Sequence, residues 1–126
     1  MAIFNFTQHV PTEDLIAAGV VDLTPRDCVR RNALLLLFDE LPSEMELAVR
    51  AQEVAAMALE VGATEVLVEG PPFLQSYLEA ALYACGITPF HAFRKRVSKE
   101  EPDGRGGLRL VMVFIHAGFV KARRGF

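Results

Sequence analysis

Cysteine is scarce: the 126 residues contain only Cys28 and Cys85, and no CxxC spacing. Two lone thiols read as free rather than bridged, the pattern of a reducing compartment. Metal frameworks are missing as well. His9, His91 and His116 are scattered, without HExxH or a paired Cys, so no metal site is expected. Long apolar runs are absent. Ala33 to Phe38 is far short of the roughly 20 residues of a spanning helix. The N-terminus lacks the basic start and apolar stretch of a secretory leader. The expected location is cytoplasmic, with no membrane contact.

Fingerprints of the common nucleotide and hydrolase chemistries are equally absent. No GxGxxG, no P-loop, no GxSxG and no paired-carboxylate pattern occurs. These absences argue against an ordinary NAD enzyme, a P-loop NTPase and a familiar hydrolase, and no cofactor is expected. No tract of low complexity appears. With 52% hydrophobic residues the 126-residue chain can bury one core, so residues 1–126 are read as one domain.

Charge is present but unevenly spread. Residues 1–93 carry four basic and thirteen acidic side chains, and residues 94–126 carry nine and three. A basic segment on an acidic body reads as a local anion site or as a solvated edge that discourages aggregation, not as a coat for long nucleic acid.

The pattern predicts strand at Ile3 to Thr7, a short helix after Thr12, and strand at Val20 to Leu23. Thr24-Pro25 opens a helix from Arg26 through Phe38. Its Leu34 to Phe38 run fits a buried strand too, but leucine is not β-branched and helix is favoured. Ser43 to Glu46 is a capping box before a helix that Gly62 closes. Glu65 to Glu69 is a strand, Gly70-Pro71-Pro72 a break, and Phe73 to Cys85 a helix. Thr88 to Phe93 is a strand, Lys95 to Glu101 a charged loop, and Asp103 to Gly107 a turn. Leu108 to Phe119 is the last strand, followed by a basic tail from Lys121. This order predicts an α/β fold: a small Rossmann-like open sheet of about five mainly parallel strands, the last antiparallel, with helices on both faces.

Parallel strands send their carboxyl ends to one edge, where open sheets bind ligands. The first strand delivers Thr7, Gln8 and His9; the third delivers Glu69, Gly70 and Phe73; the fourth delivers Arg94, Arg96 and Ser98. The helix start at Gly70 to Ser76 has no acid and suits an anion, whereas Glu69 suits a ribose hydroxyl or base amine. Arg94 and Arg96 alternate along an extended chain, facing one side as phosphate ligands or as a solvated strand end. His9 reads as a general acid, a phosphate donor or a structural histidine; His91 and His116 read as structural.

Four stretches together resemble a known family: Thr7-Gln8-His9 with Pro11-Thr12, Val68 to Phe73, Ala92 to Arg96, and Asp103-Gly104 leading to Phe114-Ile115-His116. The chain resembles small single-domain CRISPR-accessory proteins with a CRISPR-associated Rossmann-like fold, including those of ring-nuclease type. That resemblance implies a homodimer in antiviral defence that binds a cyclic oligoadenylate across its two-fold axis. It implies metal-independent cleavage by ribose 2′-hydroxyl attack, with His9 or Ser98 moving the proton and Arg94 and Arg96 stabilising the phosphorane. Two other readings stand beside it: a non-catalytic nucleotide sensor, and an interaction protein that pairs through its apolar last strand.

Overall fold

The computed structural model describes residues 2–124. It is an α/β fold built on one five-stranded sheet in the order β2-β1-β3-β4-β5. The elements are β1 (Ile3–Phe6), α1 (Glu13–Ala17), β2 (Val20–Val21), α2 (Pro25–Leu36), α3 (Glu44–Glu60), β3 (Glu65–Val68), α4 (Pro72–Ala84), β4 (Thr88–Pro102) and β5 (Leu108–Lys121). The first four strands run parallel, and β5 returns antiparallel to β4.

Side chains alternate across the sheet, and each face has its own cluster. Phe6, Val66 and Val68 point to the thicker side, where Leu35 of α2, Val54 and Ala58 of α3, and Leu74, Leu78 and Leu82 of α4 cover them. Ile3 and Leu67 point to the other side, where only Leu15 of α1 and Val20 join them, with Ala92 and Phe119 packed alongside. One face carries three long helices, and the other a helix of five residues. Much of that second face stays open.

Local chemistry explains the helix starts. Pro25 takes the first position of α2, and Thr24 Oγ1 accepts the Asp27 N–H. Ser43 Oγ accepts the Glu46 N–H at 3.1 Å. The Glu46 carboxylate turns to Arg50 at 3.6 Å, so only one half of the capping box is made. The Leu34 to Phe38 run is helical through Leu36, where α2 ends. Leu35 is fully buried, as a helix resting one stripe on the core requires.

The charged stretch Lys95 to Glu101, expected as loop, is strand. It belongs to β4, which pairs with β5 continuously from Arg94↔His116 to Pro102↔Leu108. Only Thr88 to Phe90 of β4 pair with β3. Ala92 and Phe119 still pack on the body and the His116 N–H reaches Asp14; beyond the Arg94↔His116 pair the two strands run on as a two-stranded arm. A register shift at Phe93/Arg94 leaves Ala117 without an opposite residue, beside Gly118 with φ of 148°, a backbone open to glycine. Asp103 closes the tip: its carboxylate accepts the N–H groups of Arg105 and Gly107 at 2.7 and 3.1 Å.

Candidate functional site

From β1 the chain moves outward through α1 to β2, and from β3 it moves the opposite way through α4 to β4. The carboxyl ends of β1 and β3 therefore flank the topological switch point, where two connections diverge and leave a crevice. A cleft of about 630 Å³ lies there, on the thinly covered face. Its floor includes Leu67 and Ala92. Asn5, Thr7 and His9 line one side, and Glu69 and Arg94 another, with Val10 to Thr12 and Leu15 from the approach to α1.

Beneath the β1 side lies a polar network. Asp22 Oδ1, just past β2, accepts from the Leu23 N–H at 2.9 Å, Asn5 Nδ2 at 3.1 Å and Arg31 Nη1 at 3.1 Å. Arg31 is 3% exposed, and its Nη1 also donates to the Asn5 carbonyl at 3.0 Å. Asn5 Nδ2 donates to the His9 carbonyl at 2.8 Å, and Asn5 Oδ1 accepts from Thr7 Oγ1 at 2.8 Å. Burial opposes ionisation of Asp22, but the Leu23 N–H, the Asn5 amide and the Arg31 guanidinium outweigh it and hold its carboxyl below the usual range. Burial is also the main cause that pushes the Cys28 thiol up, as an inert thiol beside this network.

The network gives Thr7 a wall position with its hydroxyl engaged, and it fixes the carbonyl of His9 while leaving that residue exposed. Thr7, His9, Glu69 and Arg94 are thus brought together at one cleft. Gln8 is exposed at the β1 exit and is absent from the lining. Gly70 faces the helix side: a Cβ there would meet Leu78 Cδ1 at 2.8 Å. Its N–H donates to Gln75 Oε1 at 2.8 Å, and the Leu74 and Gln75 N–H groups go to the Pro71 carbonyl. With two prolines contributing no donor, little of this helix start is left for an anion. Phe73 packs edge-on against Phe38 with centroids 5.2 Å apart. Arg96 and Ser98 stand out on the arm, where Ser98 Oγ approaches Met112 Sδ at 3.4 Å. His91 reaches Glu79 of α4 at 3.3 Å, and the His116 ring lies tilted against Phe119 with centroids 4.6 Å apart while its backbone N–H donates to Asp14 at 2.9 Å.

Asn5, Asp22 and Arg31 were not among the sequence candidates. Their signal is Arg31 itself. It shares a helix stripe with Cys28 and Leu35, at i−3 and i+4, and a charge on a core stripe needs buried partners. Among the described residues, no group of three or more His, Cys, Asp or Glu is placed to hold a metal ion, and no helix is long and apolar enough to cross a membrane.

Comparison with known proteins places the chain. The family described as "Uncharacterized protein MJ1673 family" matches residues 1–120, and the chain belongs to it. No curated protein and no solved structure matches.

Proposed function

We propose that the protein, a member of this family, binds a phosphorylated nucleotide in the switch-point cleft, a reading that rests on the cleft itself. The observation that carries this reading is the meeting of His9, Glu69 and Arg94 around an open volume of about 630 Å³, inside the range of about 300–1,000 Å³ usual for ligand pockets. Arg94 supplies a fixed cation with a planar fork for phosphate. His9 donates a further hydrogen bond. Glu69 accepts from a ribose hydroxyl or base amine, and its charge sets the phosphate toward Arg94. Leu67 and Ala92 offer an apolar floor for a base.

The resemblance to CRISPR-accessory proteins makes a cyclic oligoadenylate the first ligand to test. Cleavage would rest on His9 as the proton-moving group next to Arg94, since Ser98 stands on the arm. Arg96, one alternate position further along the arm, lies outside the cleft lining and is given no phosphate. Calorimetry with linear and cyclic oligoadenylates tests the reading. Arg94→Ala is expected to cost about 1.5–3 kcal/mol of binding, the range for a hydrogen bond to a charged group, and to leave the fold unchanged. His9→Ala lowers turnover more than affinity if His9 moves a proton. Failure of the wild type to bind either ligand at low salt ends the nucleotide reading. Binding without turnover makes the protein a sensor.

A further inference from the structure

From the structure we infer that the β4–β5 arm is a self-association device, its occupant a second copy of this chain packed face to face and antiparallel. The inference stands apart from the ligand reading. Residues opposite one another in an antiparallel pair share a face. Arg96, Ser98, Glu100 and Pro102 therefore lie on the same face as Phe114, Met112, Leu110 and Leu108. Alternation along β4 makes this the face that bears Ala92 and Arg94, the cleft side of the sheet. Leu108, Leu110, Met112 and Phe114 are 66%, 71%, 51% and 61% exposed. A two-stranded ribbon is marginal in water without a covered apolar face, and four large apolar side chains in one row need a cover.

The pattern on the face selects the cover. Arg96 and Glu100 are equidistant from Ser98, and Phe114 and Leu110 are equidistant from Met112, which is opposite Ser98. A two-fold axis across the strands at Ser98 and Met112 lays β4 on β4 and β5 on β5. It then sets Arg96 against the partner's Glu100, Phe114 against the partner's Leu110, and Met112 against the partner's Met112. Arg96 and Glu100 each meet their opposite and Phe114, Met112 and Leu110 each meet an apolar side chain, while Leu108 falls over the partner's His116 and Pro102 over the partner's Arg94. The alternative axis, along the strands, would lay Arg96 over the partner's Phe114 and leave the charges unmatched. A self-complementary patch of this kind is what an isologous interface requires.

The same axis carries each tip to the other arm's base. The partner's Arg105, in the tip loop, comes to the neighbourhood of Arg94 and His116 at the mouth of the cleft. The interface thereby adds a cation beside a site that has Arg94 as its own.

Sedimentation of the full chain at micromolar concentration tests the arrangement. The wild type is expected as a dimer. Arg96→Glu and Glu100→Arg each raise the dissociation constant roughly tenfold or more, because each places like charges together, and the double variant regains the dimer. Facing sheets stand about 10 Å apart, too far for a direct disulfide, so Ser98→Cys is expected to be joined to its partner by a short bis-maleimide beyond the level of the wild type. Circular dichroism reports that each variant is folded, and the Ser98 variant supplies an answer if a charge variant is not. A monomeric wild type overturns the inference. So does a dimer that both single reversals leave intact, or a Ser98→Cys chain that cross-links no more than the wild type.

Discussion

Arg31 carries more of the cleft than any side chain that lines it. It is the one charged side chain in the buried class among the described residues, and from the middle of α2 it holds the Asn5 carbonyl of β1 and the Asp22 carboxylate just past β2. Arg31→Met keeps the length and removes the donors. The Asn5 carbonyl and Asp22 then lose a partner, at an expected cost of about 1–3 kcal/mol, read by urea unfolding. Asp22 adds a pH dependence of known sign. Its folded value lies below the ordinary 3.8, so its stabilisation is complete above that value and is lost as pH falls through the lower folded one. Unfolding midpoints are expected to drop below about pH 4, and Asp22→Asn should flatten that drop while lowering stability at neutral pH. A midpoint equally pH-dependent in the variant would mean that other carboxylates set the acid limb.

Among the elements, α3 offers the cleanest local test. Ser43 Oγ satisfies the Glu46 N–H, so Ser43→Ala is expected to cost about 1 kcal/mol, and Ser43→Asp should restore most of it. The helices were legible because their signals are local: Thr24-Pro25, Ser43 with Glu46, and the breaks at Gly62 and Pro71 act within a turn or two. The parallel strands were legible as short apolar runs between such helices. Lys95 to Glu101 was not, because charge and the lack of apolar alternation make it look like loop. What makes it strand is a partner elsewhere in sequence: Leu108 to Ile115 supplies both the hydrogen bonds and the apolar row. Half of the arm is thus invisible without the other half.

For the molecule as a whole, the site was half legible. Strand ends converge wherever a parallel sheet is drawn, so Thr7, His9, Glu69 and Arg94 followed from topology. The Gly70 turn was read for its freedom from acid, but its donors are spent on Gln75 and the Pro71 carbonyl, a detail set by rotamers. Scale also separates two pictures of the ligand. Arms packed antiparallel about Ser98 place the two Arg94 side chains about eight residues apart along a strand, about 26 Å. Each cleft then fills independently, and calorimetry should give one ligand per chain. One ring per pair of chains would instead put the clefts together on a common axis, against the arm arrangement.

The strand order also decides in what sequence the parts take shape. Phe4 must find Val66 across most of half the chain, whereas Pro102 meets Leu108 around a short loop. Hairpins zip in about 1–10 μs, and mixed sheets with distant pairings are slower by orders of magnitude. The arm therefore zips transiently on a chain whose body is still open, and a second such arm that covers its apolar row can hold it closed before either chain has buried its core. Stopped-flow refolding should show a rate that rises with protein concentration. Val66→Ala should slow the body-forming phase, and Leu110→Ala should remove only the dependence on concentration. The arm would then act as a meeting point for nascent chains, which makes assembly a step within folding rather than one that follows it.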